Sequence, residues 1–326
     1  ADDRELAMTA PRAPLPGDRW HFAHGPIDLV IGAEGAPSAV AAAHEAAWAR
    51  FATVLGELVG ELGLLRAPIG RPRLGGHRAA SVAAQPRADC PLAGPVAQRM
   101  WRACLPLSSE YITPMAAVAG AVADEIVAAY RRPGIARAWV NNGGDIALHL
   151  AEGASVRVGL FADLARFAPV AGGHPGDCPG LVLDGRFEID SAMPVRGIAT
   201  SGWRGRSFSL GIADSVTVLA RTAAQADAAA TIVANAVDVD DPGIVRRPAC
   251  ELRDDTDLGE LPVVVDVPAL APHRVTRALE RGALQARKLH DRGLLDVAVL
   301  VCQGRAAGVG TPAAAAPAGR IPLECA

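Results

Sequence analysis

Residues 138–150 read AWVNNGGDIALHL, and the fold follows from how this stretch is read. Apolar and polar residues alternate on either side of Asn141-Asn142-Gly143-Gly144, so two β-strands joined by a tight glycine turn are expected. Outward from it, residues 181–190 (LVLDGRFEID) read as a second hairpin turning at Asp184-Gly185. Residues 195–202 (VRGIATSG) and 208–220 (FSLGIADSVTVLA) read as two further strands. Thr222 then caps an alanine-rich helix over 223–237. On the N-terminal side, 22–31 reads as a strand, and Pro37-Ser38 opens a long helix lasting to about residue 65. A short helix is expected over 96–104, and another begins at Thr113-Pro114 and runs to about Tyr130. A charged helix from Pro272 to about His290 leads into one more apolar strand, 294–302. Helices that flank a largely antiparallel sheet, without regular βαβ alternation, make the fold class α+β.

The rest of the 326 residues sets limits. Residues 1–17 read as a flexible arm and 304–326 as a disordered Ala/Pro-rich tail. The α+β domain over 18–303 is either one body or two interleaved subdomains. The Gly/Pro/Arg-rich connection over 66–95 has no assigned role. With 50% hydrophobic and 21% charged residues and a formal net charge of -3, the composition is that of a globular protein without a basic excess for nucleic acid. Lys288 is the only lysine and lies in an arginine-rich helix, which sets aside Schiff-base chemistry. Six widely spaced cysteines without a CxxC pair are expected to be reduced thiols. No stretch has the apolar run of a membrane span, and no secretory signal is visible, so a cytoplasmic location is expected.

Four motifs have the residue types that chemistry needs. Asn142, Gly143, Gly144 and Asp145 offer a backbone that approaches a ligand closely, or simply a hairpin turn. Thr200, Ser201 and Gly202, followed by Arg206, Ser207 and Ser209, gather hydroxyls and donors that suit phosphate, carboxylate or an oxyanion, although surface turns favour the same residues. Asp214 is a carboxylate within an apolar strand pattern, where burial demands a partner. Asp227, Thr231 and Asn235 recur every fourth residue along one helix face, a stripe that serves either as a wet face or as oxygen ligands for Mg²⁺. Thr200, Ser201, Ser207 and Ser209 are expected to line one pocket with the 142–145 turn, and Asp227 to lie buried or half-buried beside it.

Taken in order, PMAAVAGAVAD (114–124), NGGDI (142–146), ATSG (199–202), GRSFSLGIADSVTVLA (205–220) and ADAAATIVANAV (226–237) resemble the ApbE superfamily, and more closely a cytoplasmic branch of it. The resemblance covers about 114–237. ApbE proteins are FAD:protein FMN transferases that use Mg²⁺, so it implies FAD or FMN and Mg²⁺ as cofactors. It matches Asp227 and Thr231 to the magnesium pair, residues 142–145 to the nucleotide pocket and Thr200-Ser201 to the family's TSG. Family transferases have a His-x-x-Asp-Pro-x-x-Gly segment between TSG and the following strand, whereas residues 203–214 here contain neither histidine nor Asp-Pro. In the shorter branch that interval reads Gly-His-Ser, and Arg206 stands in place of its histidine. The expected function is Mg²⁺-dependent cleavage or transfer of a phosphoryl or nucleotidyl bond in an anionic, planar small molecule. The alternatives are a flavin-independent hydrolase of a small amide or heterocycle, with Ser207 or Ser209 as nucleophile and Asp145 or Asp214 as base, and a non-catalytic ligand-binding protein. Aromatic residues at 4% count against a dedicated flavin protein. The expected partner is a small-molecule substrate, with no nucleic acid and no membrane, and a homo-oligomer is left open.

Overall fold

The structure is a computed structural model that describes residues 10–69, 89–160, 185–310 and 316–317. The connection over 70–88, the 181–184 half of the second expected hairpin, most of the tail, Cys178 and Cys325 lie outside the described residues. The remaining cysteines, Cys90, Cys104, Cys250 and Cys302, are free thiols.

The strands are β1 (Arg12–Leu15), β2 (Arg19–His24), β3 (Ile27–Gly35), β4 (Ile135–Asn142), β5 (Asp145–Leu150), β6 (Ser155–Leu160), β7 (Gly185–Asp190), β8 (Gly197–Ser201), β9 (Ser215–Ala220), β10 (Val245–Pro248), β11 (Pro262–Asp266), β12 (Val297–Cys302), β13 (Arg305–Val309) and β14 (Ala316–Pro317). The helices are α1 (Pro37–Gly60), α2 (Leu62–Leu65), α3 (Pro95–Cys104), α4 (Val118–Val127), α5 (Ala223–Ala236), α6 (Ala249–Leu252) and α7 (Pro272–Asp291). Nine strands form one sheet in the order β1-β2-β3-β4-β5-β8-β9-β12-β13, and every neighbouring pair is antiparallel. The class is α+β, as the strand and helix patterns require. Among the described residues no helix is long and apolar enough to cross a membrane.

Helices α1, α4, α5 and α7 cover one face of this sheet. In α1, Ala43, Ala47, Phe51, Val54 and Leu58 recur at helical spacing and are buried, so the residues that face the sheet form a single stripe. The main core fills the space between these helices and the sheet. Arg50 of α1 and Arg99 of α3 converge on Glu125 of α4 at 2.7 and 2.8 Å, fastening three helices to one another. A smaller apolar cluster, including Leu148, Ile189, Ile198, Leu219 and Val297, lies on the opposite face beneath the β6–β7 pair.

Some local expectations change. Arg12–Leu15, placed in the arm on composition, is an edge strand paired with β2, and Arg305–Val309, placed in the tail, is the other edge, paired with β12. The expected strand over 208–220 begins only at Ser215. Before it, the Leu210 and Ile212 N–H groups bond to Asn235 and to the Val237 carbonyl at the end of α5 instead of to a neighbouring strand. Thr113 occupies the position before the 3₁₀ turn at Pro114–Ala117 that leads into α4, but its hydroxyl caps nothing and donates to the Asp257 carboxylate instead.

Candidate functional site

The ends of β4, β5, β8 and β9 that meet at one edge of the sheet hold most of the chemistry-bearing residues. Between β4 and β5 the chain turns over Gly143 and Gly144, with φ of +65° and +117°, while Asn141 Oδ1 accepts the Gly144 N–H at 2.9 Å. Two successive positive φ values are what a tight hairpin needs, and glycine supplies them at least cost. Because Asn142 pairs with Asp145 across this turn, both side chains lie on the helix-covered face and both are buried.

Asn142 Nδ2 donates to the Ala119 carbonyl at 3.1 Å. Asp145 accepts the Thr200 N–H at 3.1 Å, and burial pushes its carboxyl up to about 7. Asp227, half-buried on α5, accepts the Gly120 N–H at 3.0 Å. That donor belongs to the first turn of α4, where N–H groups have no partner within the helix. Burial, and then the charge of Asp145, hold the Asp227 carboxyl well above the usual range despite the opposing pull of the Gly120 and Ala119 N–H groups. In return Asp124 of α4 accepts the Ala223 and Ala224 N–H groups of α5 at 3.1 and 2.9 Å, so each helix caps the other. Gly120 permits the crossing, since a Cβ there would lie 2.2 Å from the Ala223 carbonyl oxygen.

The stripe on α5 therefore divides. Asp227 faces Asp145 electrostatically. Thr231, one turn further on, is half-buried, and its hydroxyl has no partner among the described residues. Asn235 turns to the 203–214 segment, where its Oδ1 accepts the Leu210 N–H at 2.9 Å and the Ser209 hydroxyl at 3.4 Å. Ser209 is 2% exposed and its Oγ also accepts the Gly211 N–H, which makes it a loop anchor. Ser207 and Arg206 are exposed. The Arg206 guanidinium lies above the turn, its Nη1 3.2 Å from where a Cβ on Gly143 would be.

Two groups face elsewhere. The Thr200 hydroxyl pairs with Thr217 Oγ1 at 3.0 Å on the other side of the sheet, while Ser201 follows Ala199 onto the helix side. Asp214 accepts the Gln303 N–H, and Trp203 Nε1 and Arg204 Nε lie 3.4 Å from its carboxylate, so it ties this loop to the β12–β13 turn. The structure thus brings Asn142, Asp145, Asp227 and the Thr200 N–H together at the foot of the Gly143-Gly144 turn, with Arg206 above it. Asp214 and the Thr200 hydroxyl are apart from them.

Residues not singled out in the sequence border the same place. Cys104, buried at the end of α3, has its thiol pushed up by burial and by the charges of Asp227 and Asp257. Tyr111 donates to the Asp257 carbonyl at 2.6 Å. No local sequence pattern signals this contact. A separate cavity of about 680 Å³ opens on the opposite face, lined among others by Glu34, Arg137, Trp139, Asn141 and Arg157. Asn141 is its sole tie to the turn, so it is not the space the carboxylates face. Among the described residues no group of three or more His, Cys, Asp or Glu has the arrangement of a metal site, so a cation here would rely on hydroxyl and carbonyl oxygens beside the two carboxylates.

A family model described as AbpE bacteria matches residues 12–308. A UPF0280 protein of Methanopyrus kandleri is 40% identical over 174 residues, 52% of this chain and 61% of that protein. UPF0280 proteins of Methanospirillum hungatei and Methanocaldococcus jannaschii are 39% identical over 137 residues and 34% identical over 126 residues. These two matches cover 42% and 38% of this chain and 50% and 45% of the relatives' lengths. The chain thus spans between 45% and 61% of the length of these curated relatives.

Proposed function

Because the chain belongs to the AbpE bacteria family, a family related to the ApbE-like proteins, we propose that it cleaves or transfers a phosphoryl or nucleotidyl bond of a nucleotide-like or flavin-like small molecule with the help of Mg²⁺. The supporting observation is the pair Asp145 and Asp227. Two carboxylates held above their usual range, with no arginine or lysine bonded to either among the described residues, are costly unless a cation is bound between them at work.

The donor set fits a hard cation. Asp227 and the unpartnered Thr231 hydroxyl supply oxygens one helical turn apart, and Asp145 adds a second carboxylate. When bound, Mg²⁺ polarises phosphoryl oxygens and offsets the charge that develops on them. The chain's own residues do the rest. The Gly143-Gly144 turn lets a phosphate approach the backbone, and Arg206 above it neutralises anionic oxygens. The attacking water's oxygen joins one phosphorus and the bridging oxygen leaves with the other phosphate, while Asp145 beside the turn is the carboxylate placed to receive the water's proton.

In the finer reading the chain belongs to a cytoplasmic branch lacking the His-x-x-Asp-Pro segment. The missing segment disfavours FMN transfer onto a protein threonine, and hydrolysis to FMN and AMP is the form to look for with FAD. A serine nucleophile draws no support, since Ser209 is occupied by Asn235 and Gly211, and Ser207 has no carboxylate or histidine bonded to it among the described residues.

The test is incubation of the purified chain with FAD or ADP and Mg²⁺, with nucleotide products separated by chromatography. Cleavage that requires Mg²⁺ and is lost in Asp227→Asn, with the fold intact by circular dichroism, is the expected result. Absence of binding and of cleavage for every phosphoanhydride tried, with and without Mg²⁺, removes the reading.

A further inference from the structure

The segment between α6 and β11, residues 253–261, lies outside every motif above, yet it is held to the residues before α4 and to the 203–209 loop. Tyr111 and Thr113, just ahead of the turn into α4, both donate to Asp257. In the strand that follows the segment, β11, the Val264 N–H donates to the Ser209 carbonyl at 2.9 Å. The Arg253 guanidinium lies 5.2 Å from the centre of the Phe208 ring. Phe208 is two residues from Arg206, which covers the Gly143-Gly144 turn. Burial, and then the charges of Asp227 and Asp257, push up the Cys104 thiol at the end of α3. The 142–145 turn, the 203–209 loop, the 253–257 turn and the residues leading into α4 are therefore linked one to the next beside the carboxylate pair.

Among the described residues, two arginines of these segments have no carboxylate bonded to them, Arg206 and Arg253, whereas Arg50, Arg99, Arg246 and Arg274 are all ion-paired. Both are exposed. A carboxylate pair with these guanidinium groups beside it matches a ligand that presents phosphate oxygens to both at once. We propose that Arg253, held in orientation by the Phe208 ring, acts with Arg206 as a two-guanidinium clamp for the phosphate groups of the substrate. This deepens, and rests on, the reading of a Mg²⁺-dependent phosphoanhydride site. The stacked arrangement is one that a planar guanidinium adopts and a lysine ammonium does not reproduce in geometry. It assigns the 253–257 turn, and not the hairpin alone, to substrate selection.

The experiment is calorimetric titration of the full chain, in Mg²⁺, with ADP, inorganic pyrophosphate and adenosine. ADP and pyrophosphate are expected to bind and adenosine not to. Arg253→Ala is expected to weaken both phosphate probes about tenfold or more, as loss of a charge-assisted contact does, with unchanged thermal unfolding because the side chain is exposed. Arg253→Lys recovers only part of the loss, and Phe208→Leu weakens binding although both arginines remain. Wild-type affinity in Arg253→Ala, with binding abolished in Asp227→Asn, overturns the clamp and leaves the proposed function standing. Adenosine binding as tightly as ADP overturns the clamp as well. A wild-type chain that binds none of the phosphate probes overturns both.

Discussion

Replacing Asp145 by Asn should make the metal-free protein more stable at alkaline pH and leave it unchanged in acid. A carboxyl displaced from its ordinary 3.8 to about 7 keeps, in the folded state, a proton that the unfolded chain has already released. Across the window from pH 4 to 7 the folded state therefore binds more protons than the unfolded one, and stability falls as pH rises. Above pH 7 the full cost is present. At about 1.4 kcal/mol per tenfold change in proton affinity it comes to about 4 kcal/mol. Asn keeps the oxygen that accepts the Thr200 N–H and carries no charge, so it escapes that cost. The assay is thermal and urea unfolding of wild type and Asp145→Asn in EDTA from pH 4 to 9. The variant should gain on the order of 5 to 10 °C at pH 8 and coincide with wild type near pH 4. Millimolar Mg²⁺ should then raise the wild type and leave the variant nearly unmoved. Parallel pH profiles for the two proteins, or a variant less stable at pH 8, would refute the reasoning.

Gly120→Ala should destabilise the fold by about 2 kcal/mol or more in urea titration, since a methyl there meets the Ala223 carbonyl at 2.2 Å; wild-type stability would mean the helices separate freely. Asp124→Ala strands two N–H groups at the start of α5 and should cost about 2 to 4 kcal/mol by the same measurement. Asn235→Ala should speed limited proteolysis within 203–214 while Ser207→Ala does not, and equal digestion rates would remove Asn235 as the loop's anchor. The purified chain should hold no covalent flavin, and fluorescence that persists on a denaturing gel would contradict this.

The hairpin at 138–150 was legible because alternation and an Asn-Gly-Gly turn specify it locally, and α5 because Thr222 caps it, its hydroxyl accepting the Gln225 N–H at 3.1 Å. Residues 208–214 show the opposite case. Their apolar alternation looks like a strand, but Asn235 and Val237 take the N–H groups that a neighbouring strand would need. Arg305–Val309 is rich in Ala and Gly, and only the partner β12 makes it a strand. Of the site, the stripe on α5 was visible in its spacing, but its division between Asp145 and the 203–214 loop depends on tertiary contacts. The bonds from Thr113 to Asp257 and from Asp124 to α5 join residues 144 and about 100 positions apart, a distance over which no local pattern speaks.

The mutual capping of α4 and α5 gives the protein a built-in reporter. Asp227 Oδ2 is bonded to the backbone amide of Gly120, so anything that draws charge from that carboxylate alters the shielding of one amide proton and nitrogen. In an ¹⁵N-labelled sample the Gly120 resonance should respond to occupancy at the carboxylate pair before any chemistry takes place. Amide exchange at Ala223 and Ala224, bonded to Asp124 on the other side of the same crossing, would show whether the disturbance stays local or passes along both helices. Ligand screening could then proceed by spectroscopy without a known substrate.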